Sequence, residues 1–181
     1  MLPGVSLDEL PLLDWHVTSV SRLKLLCVAE ASSSSALLKI VRTVVQLSAV
    51  ASSSSAVTPN ALATTLRNAL DVIELAHSLH PAIDGLPILL GIAGHDLSCF
   101  LSRFPESLPE AVNAMRGANK VLQSAGDDLA AIEVRASALY HLAGWLETKE
   151  SPDLEEALHC FREAHALAVM VAGRAGSEWR V

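Results

Sequence analysis

The sequence predicts an all-α protein built from αα-hairpins, on three observations. Apolar residues make up 51% of the 181-residue chain and aromatic residues only 4%, which implies a core of Leu, Ala, Val and Ile that packs helices closely. The eight prolines and nine glycines fall mostly between apolar runs, where they end helices rather than interrupt them. Helix-start signals also recur: Thr58 precedes Pro59, Ser107 has Glu110 three residues on, and Asp153 has Glu156 at the same distance. The last two have the spacing of a capping box, in which a cap side chain and an acid satisfy exposed backbone amides.

Aligned on these caps, the three segments share more than their starts. An arginine follows nine residues after each cap (Arg67, Arg116, Arg162) and an alanine eleven after (Ala69, Ala118, Ala164). A large apolar side chain stands at offset 8 (Leu66, Met115, Phe161), and offset 4 carries Leu62, Ala111 and Ala157. Offsets 4, 8, 11 and 15 lie on one helical face, and all three copies keep them apolar or small. The units repeat after 49 and then 46 residues, and LPEAVNAMRGANKV matches LEEALHCFREAHAL at five of fourteen positions.

Each of these B helices is preceded by an apolar A helix with a Leu-small pair: Leu47-Ser48, Leu97-Ser98 and Leu142-Ala143. The A helices are expected near residues 36–50, 87–103 and 128–147, and the B helices near 59–79, 108–124 and 154–172. A leading helix is expected over 18–30, and glycines in GRAGSEWRV are expected to end the last one. The whole then reads as one domain over 1–181. It comprises an N-terminal helix and cap (1–35), hairpins at 36–80, 87–125 and 128–173, and a tail at 174–181. The two ASSSSA runs, starting at Ala31 and Ala51, bracket the first A helix, with Ser35 or a neighbour as its cap.

This pattern resembles the tetratricopeptide repeat (TPR) over residues 36 to 172. Leu142-Ala143 with Leu146, and Leu97-Ser98 with Leu101, match that family's helix A; Ala157, Phe161, Ala164 and Ala111, Met115, Ala118 match its helix B. Leu62, Leu66 and Ala69 match less well, and the units are longer than the family's period of about 34 residues. The resemblance implies a TPR-like solenoid of about three hairpins that binds a peptide or helix of a partner protein in a groove lined by A helices. The other architecture these helices allow is a compact up-and-down bundle. The segment LYHLAGWLETKESPDLEEALHCFREA is also similar to degenerate repeats that precede caspase-like protease domains in some large fungal and bacterial proteins, a likeness that concerns the scaffold alone.

A net charge of −7 argues against a nucleic-acid surface, which needs clustered Lys and Arg. Residues 121–181 hold ten acidic against five basic side chains, a face suited to solvent or to a basic partner. Cys27, Cys99 and Cys160, odd in number and far apart, read as reduced core residues, and MLPGVSLDEL lacks the pattern of a signal peptide; both point to an intracellular protein, cytoplasmic or nuclear. The longest apolar stretch, Ala36 to Ala51, is too short and, with Lys39 and Arg42, too charged to span a membrane.

No residues combine into a catalytic signature, and no metal or cofactor is expected. His77 and His80 have metal-compatible spacing but no completing ligand; His159, Cys160 and Glu163 cannot form a nucleophile pair, because adjacent helical residues point about 100° apart. His95-Asp96 could orient a base but lacks a nucleophile. Trp145 reads as a core residue, and Trp15 and Trp179 either as covers for the first and last hairpins or as docking points for a neighbouring molecule. The expected function is therefore a non-enzymatic interaction or scaffold module. Lys39, Arg42, His95, Arg135 and His141 form the polar part of its groove; Arg67, Arg116 and Arg162 are either a carboxylate-binding ladder or surface residues paired with nearby acids such as Glu110 and Glu163. The alternatives are a bundle enclosing an apolar ligand or lipid and a metal-dependent enzyme using the scattered histidines.

Overall fold

A computed structural model describes residues 34–53, 58–148 and 152–178. The leading helix expected over 18–30, Trp15, Cys27, Trp179 and part of each serine run lie outside the described residues. Six α-helices account for nearly all of what is described, and no strand occurs among those residues: α1 (Ser34–Ser53), α2 (Pro59–Leu79), α3 (Leu86–Leu101), α4 (Leu108–Ser124), α5 (Leu129–Thr148) and α6 (Leu154–Glu178). None is long and apolar enough to cross a membrane.

The start signals work unequally. Thr58 caps α2, its hydroxyl accepting from the Ala61 amide at 3.3 Å with Pro59 in the first turn. Asp153 caps α6 by accepting from the Glu156 amide at 3.1 Å, but Glu156 does not complete the box: the Asp153 amide donates to the Leu146 carbonyl at 3.1 Å instead, and the Glu156 carboxylate accepts from Arg116. The expected Ser107 cap does not form: Pro105–Ser107 is a turn of 3-10 helix running into α4, and Ser107 has near-helical backbone angles and no side-chain cap bond. α3 stops at Leu101 rather than 103 because the chain then tightens, with the amides of Arg103 and Phe104 donating three residues back to the carbonyls of Phe100 and Leu101, and Pro105 drives Phe104 out of the helical region. Asp128, inside the expected span, is a cap instead, its carboxylate accepting from the amides of Ala130 at 2.9 Å and Ala131 at 3.2 Å.

Two expectations at helix ends are corrected. Ser34 and Ser35 lie inside α1, so the first serine run is not simply its boundary; α1 continues through Ser52 and Ser53, with Ser54 and Ser55 outside the described residues. The glycines of GRAG do not end α6, which continues past Gly173 and Gly176 to Glu178. An interior glycine costs a helix only about 1 kcal/mol, and Arg174 helps hold this turn by donating to the Asp127 carbonyl at 2.9 Å.

The contacts group the chain into two compact units, Met1–Ile83 and Asp84–Val181. In the first, α1 packs on α2 through Leu37, Val41 and Val44, spaced along one face, and α2 buries Leu66, Val72 and Ile73. In the second, α3 packs on α4, α5 contacts both α3 and α4, and α6 packs on α5. Small residues set the closeness of the first pair. A methyl group on Gly94 would lie 3.1 Å from the Ala118 Cβ, and one on Gly91 would lie 2.3 Å from the Leu122 Cγ. Around α5 the core holds Met115, Leu139, Leu142, Leu146, Cys160 and Leu167.

Candidate functional site

Helix α5 presents different chemistry on its two sides. Arg135, Leu139 and Leu142, spaced four and three apart, line an open cavity of about 460 Å³ with side chains of α4 and α6. Ser137 and His141, also four apart, meet His95 of α3 instead.

On the first side the polar groups are paired across helices. The Arg135 Nε donates to the Asn119 Oδ1 at 3.1 Å, and its Nη2 donates to Glu163. Arg116 forms a two-pronged bond to Glu156, its Nε donating to Oε1 at 2.9 Å and its Nη2 to Oε2. Cys160 is buried in the adjoining core, where burial first, and then the Glu156 and Glu163 carboxylates, raises its thiol pKa above the ordinary value. It is a buried core residue, as the sequence suggests, at the edge of this cavity.

This arrangement redistributes the expected polar residues. His95 and His141 do come together, their ring centroids 5.7 Å apart. Arg135 is not with them, because it lies six residues before His141 and the helical repeat turns it toward α4 and α6. Arg116 is paired by Glu156 rather than left open in a ladder; Arg162 is exposed on α6. Arg67 is exposed on α2, and Lys39 and Arg42 are exposed on α1, all in the other unit. His77 Nδ1 and His80 Nε2 are buried without a hydrogen-bond partner.

Arg135 and Glu163 are mostly buried, so removing one charge strands the other. Arg135→Met is expected to lower stability by about 1–3 kcal/mol, and Arg135→Met/Glu163→Leu to recover most of it. Denaturant midpoints of the two variants test this; a single variant within about 0.5 kcal/mol of wild type would show the pair to be dispensable.

The other side gathers His95, Cys99 and His141, whose ligating atoms all lie within 4.8 Å of one another. His95 Nδ1 is 3.4 Å from Asp96 Oδ1, while its Nε2 is 3.2 Å from Ser137 Oγ and 3.7 Å from Cys99 Sγ. The Asp96 carboxylate and then the Cys99 sulfur outweigh burial and push the His95 pKa up to about 9. Burial and the neighbouring His95 lower that of His141. Trp145, half-buried against the core, stacks on His141 with centroids 6.0 Å apart. The sequence reading missed Cys99 as part of this group. The signals available were the one-turn spacing of His95 and Cys99 and the 46 residues separating His95 from His141, equal to the distance from Ser107 to Asp153.

A second groove, of about 450 Å³, runs between α5 and α6 and is lined mainly by Ala136, Tyr140, Phe161, Ala164 and Ala168. Tyr140, which lines it, is exposed, as are Leu154, Leu158 and Val169 of α6. Comparison of the chain with protein-family models, with curated proteins and with solved structures returned no match.

Proposed function

We propose that this chain is a non-catalytic protein-interaction module, a TPR-like stack of αα-hairpins that accepts a helix of a partner protein in the α5–α6 groove. The observation that carries the reading is a contrast between equivalent positions of α4 and α6, 46 residues apart. Val112 and Met115 are 7% and 0% exposed in the core that α5 completes, whereas Leu158 is 49% exposed and Phe161 only half-buried. Asn119 accepts from Arg135 of α5, whereas its counterpart His165 is exposed at the groove. The α6 face thus repeats the chemistry of a surface that elsewhere in this unit is covered by a helix.

The occupant that fits is an amphipathic helix presenting small and aliphatic side chains, since Ala136, Ala164 and Ala168 allow close approach and Tyr140 and Phe161 supply apolar area. This places the contact between the A and B helices of the last hairpin rather than along A helices, and it does not use Arg135. An apolar small molecule fits less well, because the groove is open to solvent, with His165 and Ala168 exposed along α6.

A photo-crosslinking residue at 158 is expected to trap a heterologous protein that the same residue at Lys120, exposed on α4, does not. Leu158→Asp should weaken that capture by at least about tenfold, the equivalent of 1.4 kcal/mol. Crosslinks only to a second copy would replace the partner with self-association; capture indifferent to Leu158→Asp and Phe161→Ala would remove the groove from the interface.

A further inference from the structure

We propose that His95, Cys99 and His141 form a binding site for a thiophilic transition-metal ion of the zinc class, joining α3 to α5. Three soft or borderline donors converge from two helices, with their ligating atoms within 4.8 Å of one another. His95 and Cys99 are one turn apart, which puts both on the same face of α3, and the α3–α5 contact brings His141 to them. With zinc–nitrogen and zinc–sulfur bonds near 2.1 and 2.3 Å, tetrahedral geometry separates a nitrogen and a sulfur ligand by about 3.6 Å. His95 Nε2 and Cys99 Sγ lie 3.7 Å apart.

The surroundings fit the same use. Asp96 holds Nδ1 of His95 at 3.4 Å, the carboxylate–histidine arrangement that orients a ligating ring and leaves Nε2 toward the ion. Trp145 stacked on His141 restricts the second ring. All three ligating residues are half-buried, so an ion can enter yet is partly shielded from water. One thiolate with two imidazoles selects zinc or copper(I) over magnesium or calcium, which prefer oxygen. The Ser137 hydroxyl, 3.2 Å from His95 Nε2, is the group the ion would displace. Three protein ligands leave a fourth position for water or an outside donor. The site is independent of the α5–α6 groove, so either proposal can fail without the other.

The test uses the full chain, stripped with a chelator and kept reduced, and titrated with cobalt(II) alone and then zinc. The expected result is one equivalent of cobalt bound with a thiolate-to-metal charge-transfer band and tetrahedral ligand-field bands, all abolished by zinc. Cys99→Ser should remove the charge-transfer band and His141→Gln should weaken binding at least about tenfold, with Asp96→Asn causing a smaller loss. Cys160→Ser, a change in the core around α6, should leave the spectrum unchanged. Circular dichroism of each variant separates lost binding from lost folding, and His141→Gln supplies the decision if Cys99→Ser does not fold. No band with wild type, or a band that survives Cys99→Ser in a folded protein, would overturn the proposal.

Discussion

Leu146→Ala is expected to destabilise the unit Asp84–Val181 by about 2–5 kcal/mol. Leu146 is fully buried in the core shared by α4, α5 and α6, and Ala143, Ala157 and Ala164 are among its members. Alanines have no longer side chain that can swing into the space left behind, so the cavity term adds to the lost transfer energy. Leu146→Met, which nearly preserves volume, should cost less than about 1.5 kcal/mol. Urea denaturation of both variants provides the measurement, with an unchanged slope as the sign that only stability moved. A loss below about 1 kcal/mol for the alanine variant would mean that α5 is held some other way.

Leu122→Ala should cost a similar amount, about 2–5 kcal/mol, and Gly91→Ala in the Leu122→Ala background should restore part of it. The leucine head occupies the space a methyl on Gly91 would need, with its Cγ 2.3 Å and its Cδ2 2.5 Å from that position. In the wild-type background Gly91→Ala is therefore destabilising by about 1–3 kcal/mol, even though alanine favours a helix over glycine by about 1 kcal/mol. Once Leu122 is shortened, the clash disappears and both the added methyl and the helix preference help. Equal effects of Gly91→Ala in the two backgrounds would show that these residues do not meet.

The two largest effects differ in how far they could be read from sequence. Leu146 follows Leu142-Ala143 on an apolar face, so its burial belongs to a pattern visible along the chain. Gly91 reads only as a weak helical residue, and nothing near it in sequence points to Leu122, 31 positions away. Arg135 and His141 show the same division. Both fall on an A helix as expected, but the roll of α5 against its neighbours sends one to Glu163 and the other to His95.

Helix identity and position were determined locally. Spacing of apolar residues, Thr58 with Pro59, and Asp153 place α2 and α6 starts from interactions within a single turn, whereas the Ser107 expectation failed because Pro105 organised a tighter turn before it. Exposure of Leu158, pairing of Arg116 with Glu156, and the meeting of His95, Cys99 and His141 were decided only by tertiary packing. The physical reason is that periodicity assigns a side chain to a face of its helix, but the neighbour that face meets depends on helix rotation and separation. Those are set by close packing of residues far apart in the chain, such as Gly94 on Ala118 and Leu122 over Gly91.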